Sequence, residues 1–110
     1  MPERREHERF ELLAQVKLAR GGQVETLATI NISAGGLLLR NDRNVAFEVG
    51  EIISVHFDVP ELAPAFALDA TIVRVIAPTA KPPLLAAMWR SSDASATAAL
   101  SQMLWALKQS

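Results

Sequence analysis

ELLAQVKLARGGQVETLATINIS, residues 11–33, decides the fold. In its first half Leu12, Ala14, Val16 and Leu18 fall on one face and Glu11, Gln15 and Lys17 on the other, with Leu13 the exception. Alternation of period two over this length predicts a half-buried strand. Gly21-Gly22 then interrupts the pattern and signals a hairpin, because two-residue hairpin loops need positive φ. A second strand is predicted from about Val24 to Ile32, with Val24, Thr26, Ala28, Ile30 and Ile32 inward and Glu25, Thr29 and Asn31 outward. The hairpin therefore sets the first strand, and whatever precedes it, beside the strand that carries Asn31.

The pattern continues downstream. Ser33-Ala34-Gly35-Gly36 reads as a turn, and Leu37-Leu38-Leu39 starts a third strand. Asn41-Asp42-Arg43-Asn44 is a polar loop with strong turn chemistry. A fourth strand is expected at 51–59, where Ile53, Val55, Phe57 and Val59 oppose Ser54, His56 and Asp58. A fifth spans about 66–76, with Phe66, Leu68, Ala70, Ile72 and Ile76 on one face, and a sixth covers 84–90. Pro78, Pro82 and Pro83 exclude regular structure between them.

The ending changes period. Ala96, Leu100, Met103, Leu104 and Leu107 recur at helical spacing, which predicts an amphipathic helix over about 94–108. Ser92 or Asp93 would cap it, and Lys108 complements the dipole of its last turn. Trp105 lies off the stripe, either exposed or touching a partner. The expected fold class is mostly β: a six-stranded antiparallel barrel with a C-terminal α-helix over one opening. One domain fills residues 1–110, with an arm at 1–10, a barrel at 11–90 and the helix at 93–108.

Composition agrees with a single packed domain. Half of the 110 residues are hydrophobic, enough for a core. A net charge of −1 argues against a general binder of DNA or RNA. The chain has no cysteine, hence no disulfide framework. Its charged N-terminus is not a signal peptide, and its apolar runs fall far short of a membrane span. A cytoplasmic protein without a membrane segment is expected.

Two short segments carry chemistry. Arg4, Arg5 and Arg9 cluster where no apolar periodicity accompanies them, so a mobile arm is expected there. Guanidinium forks grip phosphate oxygens bidentately. Asn31 and Ser33 offer hydrogen bonds, and the glycines after them let a backbone approach a ligand. Taken together they point to a site for a small phosphorylated molecule. Nothing points to an enzyme: there is no nucleophile–base pair and no phosphate-binding glycine loop before a helix. The two histidines, His7 and His56, are too few for a metal cluster, and Asp58 and Asp69 read as outward charges.

Arg5-x-x-x-Arg9 followed by Asn31-x-Ser33-x-x-Gly36 resembles the two-part signature of the PilZ domain, a family of bacterial receptors for the second messenger cyclic di-GMP. The family pattern is RxxxR and then [D/N]xSxxG, and its order, spacing, strand count and length all match this chain. The resemblance implies that Arg5 and Arg9 lie on an arm that folds over the ligand. It implies that Asn31 and Ser33 hold guanine and phosphate atoms from the barrel, and that Gly36 gives a tight turn and room for the ligand. In the family an arginine just before the motif accompanies an intercalated ligand dimer. Arg4 stands there, implying two cyclic di-GMP molecules per domain. By position, His7 inside the arginine motif and Trp89 near an opening are further candidate contacts, a solvated place being the alternative for His7.

The last strand departs from the family's Gly-Val-x-Phe, reading Ala86-Ala87-Met88-Trp89 instead. Glu6 and Glu8 place negative charge between the arginines. The resemblance implies no cofactor and no catalysis. It implies a stand-alone adaptor whose arm is ordered by the ligand and whose altered surface is read by an unidentified protein partner. The competing expectation is a structural or interaction protein of the same fold without a working nucleotide site, for which a degraded motif would be the mark.

Overall fold

The computed structural model describes residues 8–43, 45–76, 83–90 and 94–109. The strands are β1 (Arg9–Glu11), β2 (Gln15–Arg20), β3 (Gln23–Ser33), β4 (Gly36–Arg40), β5 (Ile52–Phe57), β6 (Phe66–Ile76) and β7 (Leu84–Trp89), followed by helix α1 (Ala94–Gln109). All pairings are antiparallel, in the order β3-β2-β5-β6-β7-β4 and back to β3, so six strands close a barrel as expected. The hairpin is where the glycines predict it: Arg20 pairs with Gln23 around Gly21 and Gly22, whose φ angles are +51° and +84°.

β1 is additional. It pairs with the far end of β3, beyond β2 and on the same edge. Arg9 and Phe10, expected in a mobile arm, thus belong to a strand; Arg4, Arg5 and His7 lie outside the described residues. The expected single strand from Glu11 is broken at 12–14, where Leu13 is 79% exposed. The side chain of Thr29 holds the break. Its hydroxyl accepts from the Ala14 N–H at 3.0 Å and donates to the Leu12 carbonyl.

The expected inward face of β3 is corrected. Leu27, Thr29 and Ile32 are buried, whereas Val24 is 61% exposed and Thr26 is exposed. The cause is a bulge: against β4, Thr29 faces Leu39 and Asn31 faces Leu38, leaving Ile30 as an extra residue. One inserted residue exchanges the two faces of everything after it. A second bulge lies between Ile72 and Arg74 near the end of β6; Phe66, Leu68, Ala70 and Ile72 keep the expected face, while beyond the bulge Val75 pairs with Leu85 but is 42% exposed and Ile76 is half-buried.

The core runs through the barrel, with Phe57, Leu18, Ile32, Leu39, Ile53 and Leu85 fully buried. α1 adds Ala96, Leu100 and Met103 to the same cluster and packs against β6 and β1. Its expected cap, Ser92 or Asp93, lies outside the described residues, and Trp105 is exposed. Asn41 is buried in the loop after β4, where its amide donates to the Val45 carbonyl and accepts from the Val45 N–H.

At the end of β2, Arg20 Nη1 lies 2.6 Å from Glu51 Oε2, and its guanidinium sits 4.3 Å from the Phe47 ring centroid. Burial raises the Glu51 pKa, but the Arg20 hydrogen bond, the Glu48 N–H and the Arg20 charge together outweigh it, leaving a net lowering.

Two outcomes follow from these contacts. Thr29→Val leaves the Ala14 N–H and the Leu12 carbonyl unpaired, and should cost about 1–3 kcal/mol in urea unfolding. A carboxyl whose pKa is lowered by folding contributes stability above its unfolded pKa and loses it as pH falls through the folded one. Wild type should therefore exceed Glu51→Gln in thermal midpoint near neutral pH, with the gap closing as acid is added.

Candidate functional site

The outer face of the barrel can be read from the strand registers. β1 places Arg9 opposite Ser33 and Glu11 opposite Asn31, with Phe10 turned inward opposite Ile32. On the other side of β3, Asn31 faces Leu38, Leu38 faces Ala86, and Ala86 faces Arg74. One row across five strands is therefore Glu11, Asn31, Leu38, Ala86 and Arg74. A second begins with Arg9 and Ser33, crosses the two-residue turn to Gly36, and continues through Met88, Thr71 and Ile52. Strands lie about 4.8 Å apart, and residues on one face of a strand about 7 Å apart. The two rows thus outline a shallow floor, apolar in the middle at Leu38, Ala86 and Met88, with arginines near its ends.

Both motif side chains face outward because of the β3 bulge. Residues 27 and 29 point inward, so an unbulged strand would bury Asn31 and Ser33. Asn31 is half-buried, and its side-chain amide makes no hydrogen bond among the described residues. Ser33 is engaged differently. Its Oγ accepts from the N–H groups of Gly35 at 3.1 Å and Gly36 at 3.2 Å, an arrangement that fixes the turn. Its own proton reaches only the Gly36 carbonyl, at 3.4 Å, a weak contact that an anionic oxygen can replace.

Trp89 closes the turn from beneath. Its indole Nε1–H donates to the Ser33 carbonyl at 2.9 Å, and its backbone N–H donates to the Gly35 carbonyl at 3.0 Å. The ring meets Phe57 edge-on, with centroids 6.0 Å apart. The polar edge of this residue is thus occupied in holding the motif. Gly36 is not among the glycines of positive φ, which are Gly21, Gly22 and Gly50. A Cβ there would stand 2.1 Å from the Ala87 carbonyl oxygen. β7 is what demands a glycine at this position.

Three outward residues of the floor escaped sequence reasoning. Glu11 was placed on the polar face of its strand without a role; continuing the alternation back through inward Phe10 to outward Arg9 would have found the pairing. Arg74 was hidden by the β6 bulge, since simple alternation from Ile72 gives it the wrong face. Met88 was quoted only as a departure in the last strand. Elsewhere, Asp69 stands opposite Ser54, not Asp58, and Ser54 Oγ lies 3.2 Å from His56 Nε2 on an exposed surface. Among the described residues no group of three or more His, Asp or Glu could hold a metal. Nor is any helix among them long and apolar enough to cross a membrane.

The PilZ domain model matches residues 3–101, and the chain belongs to that family. Its fold is similar to MrkH of K. pneumonia, solved as a c-di-GMP complex, with a TM-score of 0.79 at 16% identity over 98% of this chain and 54% of that one. It is similar to MotI/DgrA, the inhibitor of motility of Bacillus subtilis, with a TM-score of 0.74 at 18% identity over 94% of this chain and 51% of that one. It is also similar to the PilZ domain of YcgR from Escherichia coli, solved with c-di-GMP, with a TM-score of 0.73 at 12% identity over 97% and 93% of the two chains. The chain thus spans about half the length of MotI and MrkH. No curated protein is similar enough in sequence to match.

The crowding at Gly36 is directly testable. Gly36→Ala forces β4 and β7 apart at the motif turn, and the overpacking should cost about 1–3 kcal/mol. Thermal unfolding with and without the substitution measures it, and Gly21→Ala, whose Cβ meets nothing within 4 Å, separates crowding from φ strain.

Proposed function

We propose that this chain is a cyclic di-GMP receptor and acts as an adaptor, without catalysis. The observation that carries the reading is the register of β1 on β3, which sets Arg9 beside Ser33 and leaves Asn31 facing the same floor. The family supplies the ligand; the floor suits its chemistry. Arg9, with Arg4 and Arg5 from the preceding segment, would neutralise phosphate oxygens, and the loosely held Ser33 proton would donate to one of them. Asn31 offers a donor and an acceptor to a guanine edge. Leu38 and Ala86 present apolar surface to a purine face, and Arg74 faces the far end of the same row.

On this reading the segment before β1 becomes ordered over the ligand, and the composite surface of segment, ligand and barrel is what a protein partner reads. Arg4 supports a stoichiometry of two intercalated ligand molecules per domain. His7 is a further contact from the same segment. Trp89 acts from behind, by holding the turn.

Calorimetric titration of cyclic di-GMP into the wild type should give saturable binding. Arg9→Ala and Ser33→Ala should each weaken it roughly tenfold or more, the loss expected for a charge-assisted hydrogen bond of about 1.5–3 kcal/mol. Arg4→Ala should lower the stoichiometry from two to one. Absence of heat with the wild type at high protein concentration would overturn the receptor reading in favour of an interaction protein of the same fold. A wild-type stoichiometry of one would overturn only the ligand pair.

A further inference from the structure

Met88 is the most exposed large apolar side chain on the floor. It is 57% exposed, while its neighbours along β7 in the inward direction, Ala87 and Trp89, are the ones that join or flank the core. Its partner in β4 is Gly36, which carries no side chain, and its partner in β6 is Thr71, which is short. Ala86, the previous outward residue of β7, is short as well. The thioether therefore has short neighbours toward β4 and along β7, one strand from the Ser33–Gly36 turn, while on the β6 side the Arg90 guanidinium reaches Thr71 at 3.5 Å. The same crowding that requires glycine at position 36 leaves that side of Met88 open.

We propose that Met88 is the platform for one purine base of the bound nucleotide, and so a determinant of affinity for this chain. The inference rests on the receptor reading above and extends it by one residue. A purine face needs a flat apolar partner, and a polarizable sulfur meets aromatic rings favourably. An unbranched side chain can also adjust to the ring, where a β-branched one is fixed. The phosphates then lie toward Arg9 and Ser33 in the same row, and the neighbouring row takes the polar edge of the base at Asn31. Ile52 belongs to Met88's row but stands two strands further from the turn, and takes no part.

Cyclic di-GMP titrated into Met88→Ala should bind about tenfold more weakly than into the wild type, the upper end for a lost sulfur–aromatic contact. Met88→Leu should stay within about threefold, since the swap conserves volume. Met88→Phe should bind at least as tightly as the wild type, and Ile52→Ala should bind equally. Because the contact is uncharged, the Met88→Ala loss should be the same factor at low and high salt. The Arg9→Ala loss should instead shrink as salt screens it. Circular dichroism checks that each variant is folded, which an exposed position favours. Equal affinity of Met88→Ala and wild type would overturn the platform while leaving the receptor intact, as would a loss that salt abolishes. If the wild type binds no cyclic di-GMP, both readings fall together.

Discussion

A strand offers its two faces alternately, so a single extra residue decides which side chains meet solvent and which meet the core. In this chain that residue is Ile30. Up to Thr29 the inward positions of β3 are odd-numbered, and from Ile32 they are even-numbered. Without the change Asn31 and Ser33 would be driven into the barrel, where their polar groups would need internal partners. The bulge is stabilised from the neighbouring segment. Leu12 donates its N–H to the Ile30 carbonyl, and Thr29 uses its hydroxyl to satisfy the broken strand at Leu12 and Ala14. A fully buried threonine in a barrel core is otherwise costly; here its hydrogen bonds join β1, β2 and β3 at one point.

This interaction also explains which parts of the molecule were legible in the sequence. The Gly21-Gly22 hairpin, the faces of β2 and β5 and the helix stripe each depend on local periodicity, and each stands as expected. The inward face of β3 was not legible, and the bulge near the end of β6 hid where Arg74 faces. A bulge is set by two strands together, so alternation read along one of them runs on through the break. Asn31 was expected outward and is outward, but for a reason the sequence reading had reversed: Val24, Thr26 and Ala28 were given to the core and belong outside it. The motif positions could be named from their spacing. That Arg9 is a strand residue could not, because three residues of pairing are stabilised by β3 and by α1 more than by their own sequence.

The turn at 33–36 shows how structure and binding chemistry share the same groups. Ser33 spends its acceptor capacity on two backbone N–H groups, and Trp89 occupies the Ser33 and Gly35 carbonyls. Only the serine proton is weakly held. Gly36 is explained by the Ala87 carbonyl without any ligand. Two members of a binding signature can therefore be required by the fold itself, and their presence in a sequence is weaker support for a working site than it looks. Asn31 is the discriminating member. Its half-buried amide has no partner among the described residues and stays open to solvent or a ligand.

The pairing of β1 bears on affinity through entropy more than through contacts. An arginine on a free arm must be fixed when it grips a ligand, and the loss opposes binding. Arg9 is already in register with Ser33, with Phe10 packed against the core beneath it. On the receptor reading, the ligand would then meet one guanidinium whose backbone is already placed and would have to order only the residues before it. Glu11 opposes this. Two residues along the same strand and opposite Asn31, its carboxylate faces the floor that phosphates would approach. A carboxylate repels phosphate but accepts hydrogen bonds, and a guanine edge offers donors. The position of Glu11 in the row of Asn31, rather than that of Ser33, keeps it a residue pair away from where Arg9 would hold the phosphates. On the receptor reading, the floor would take an anion beside Arg9 and a hydrogen-bond donor beside Glu11.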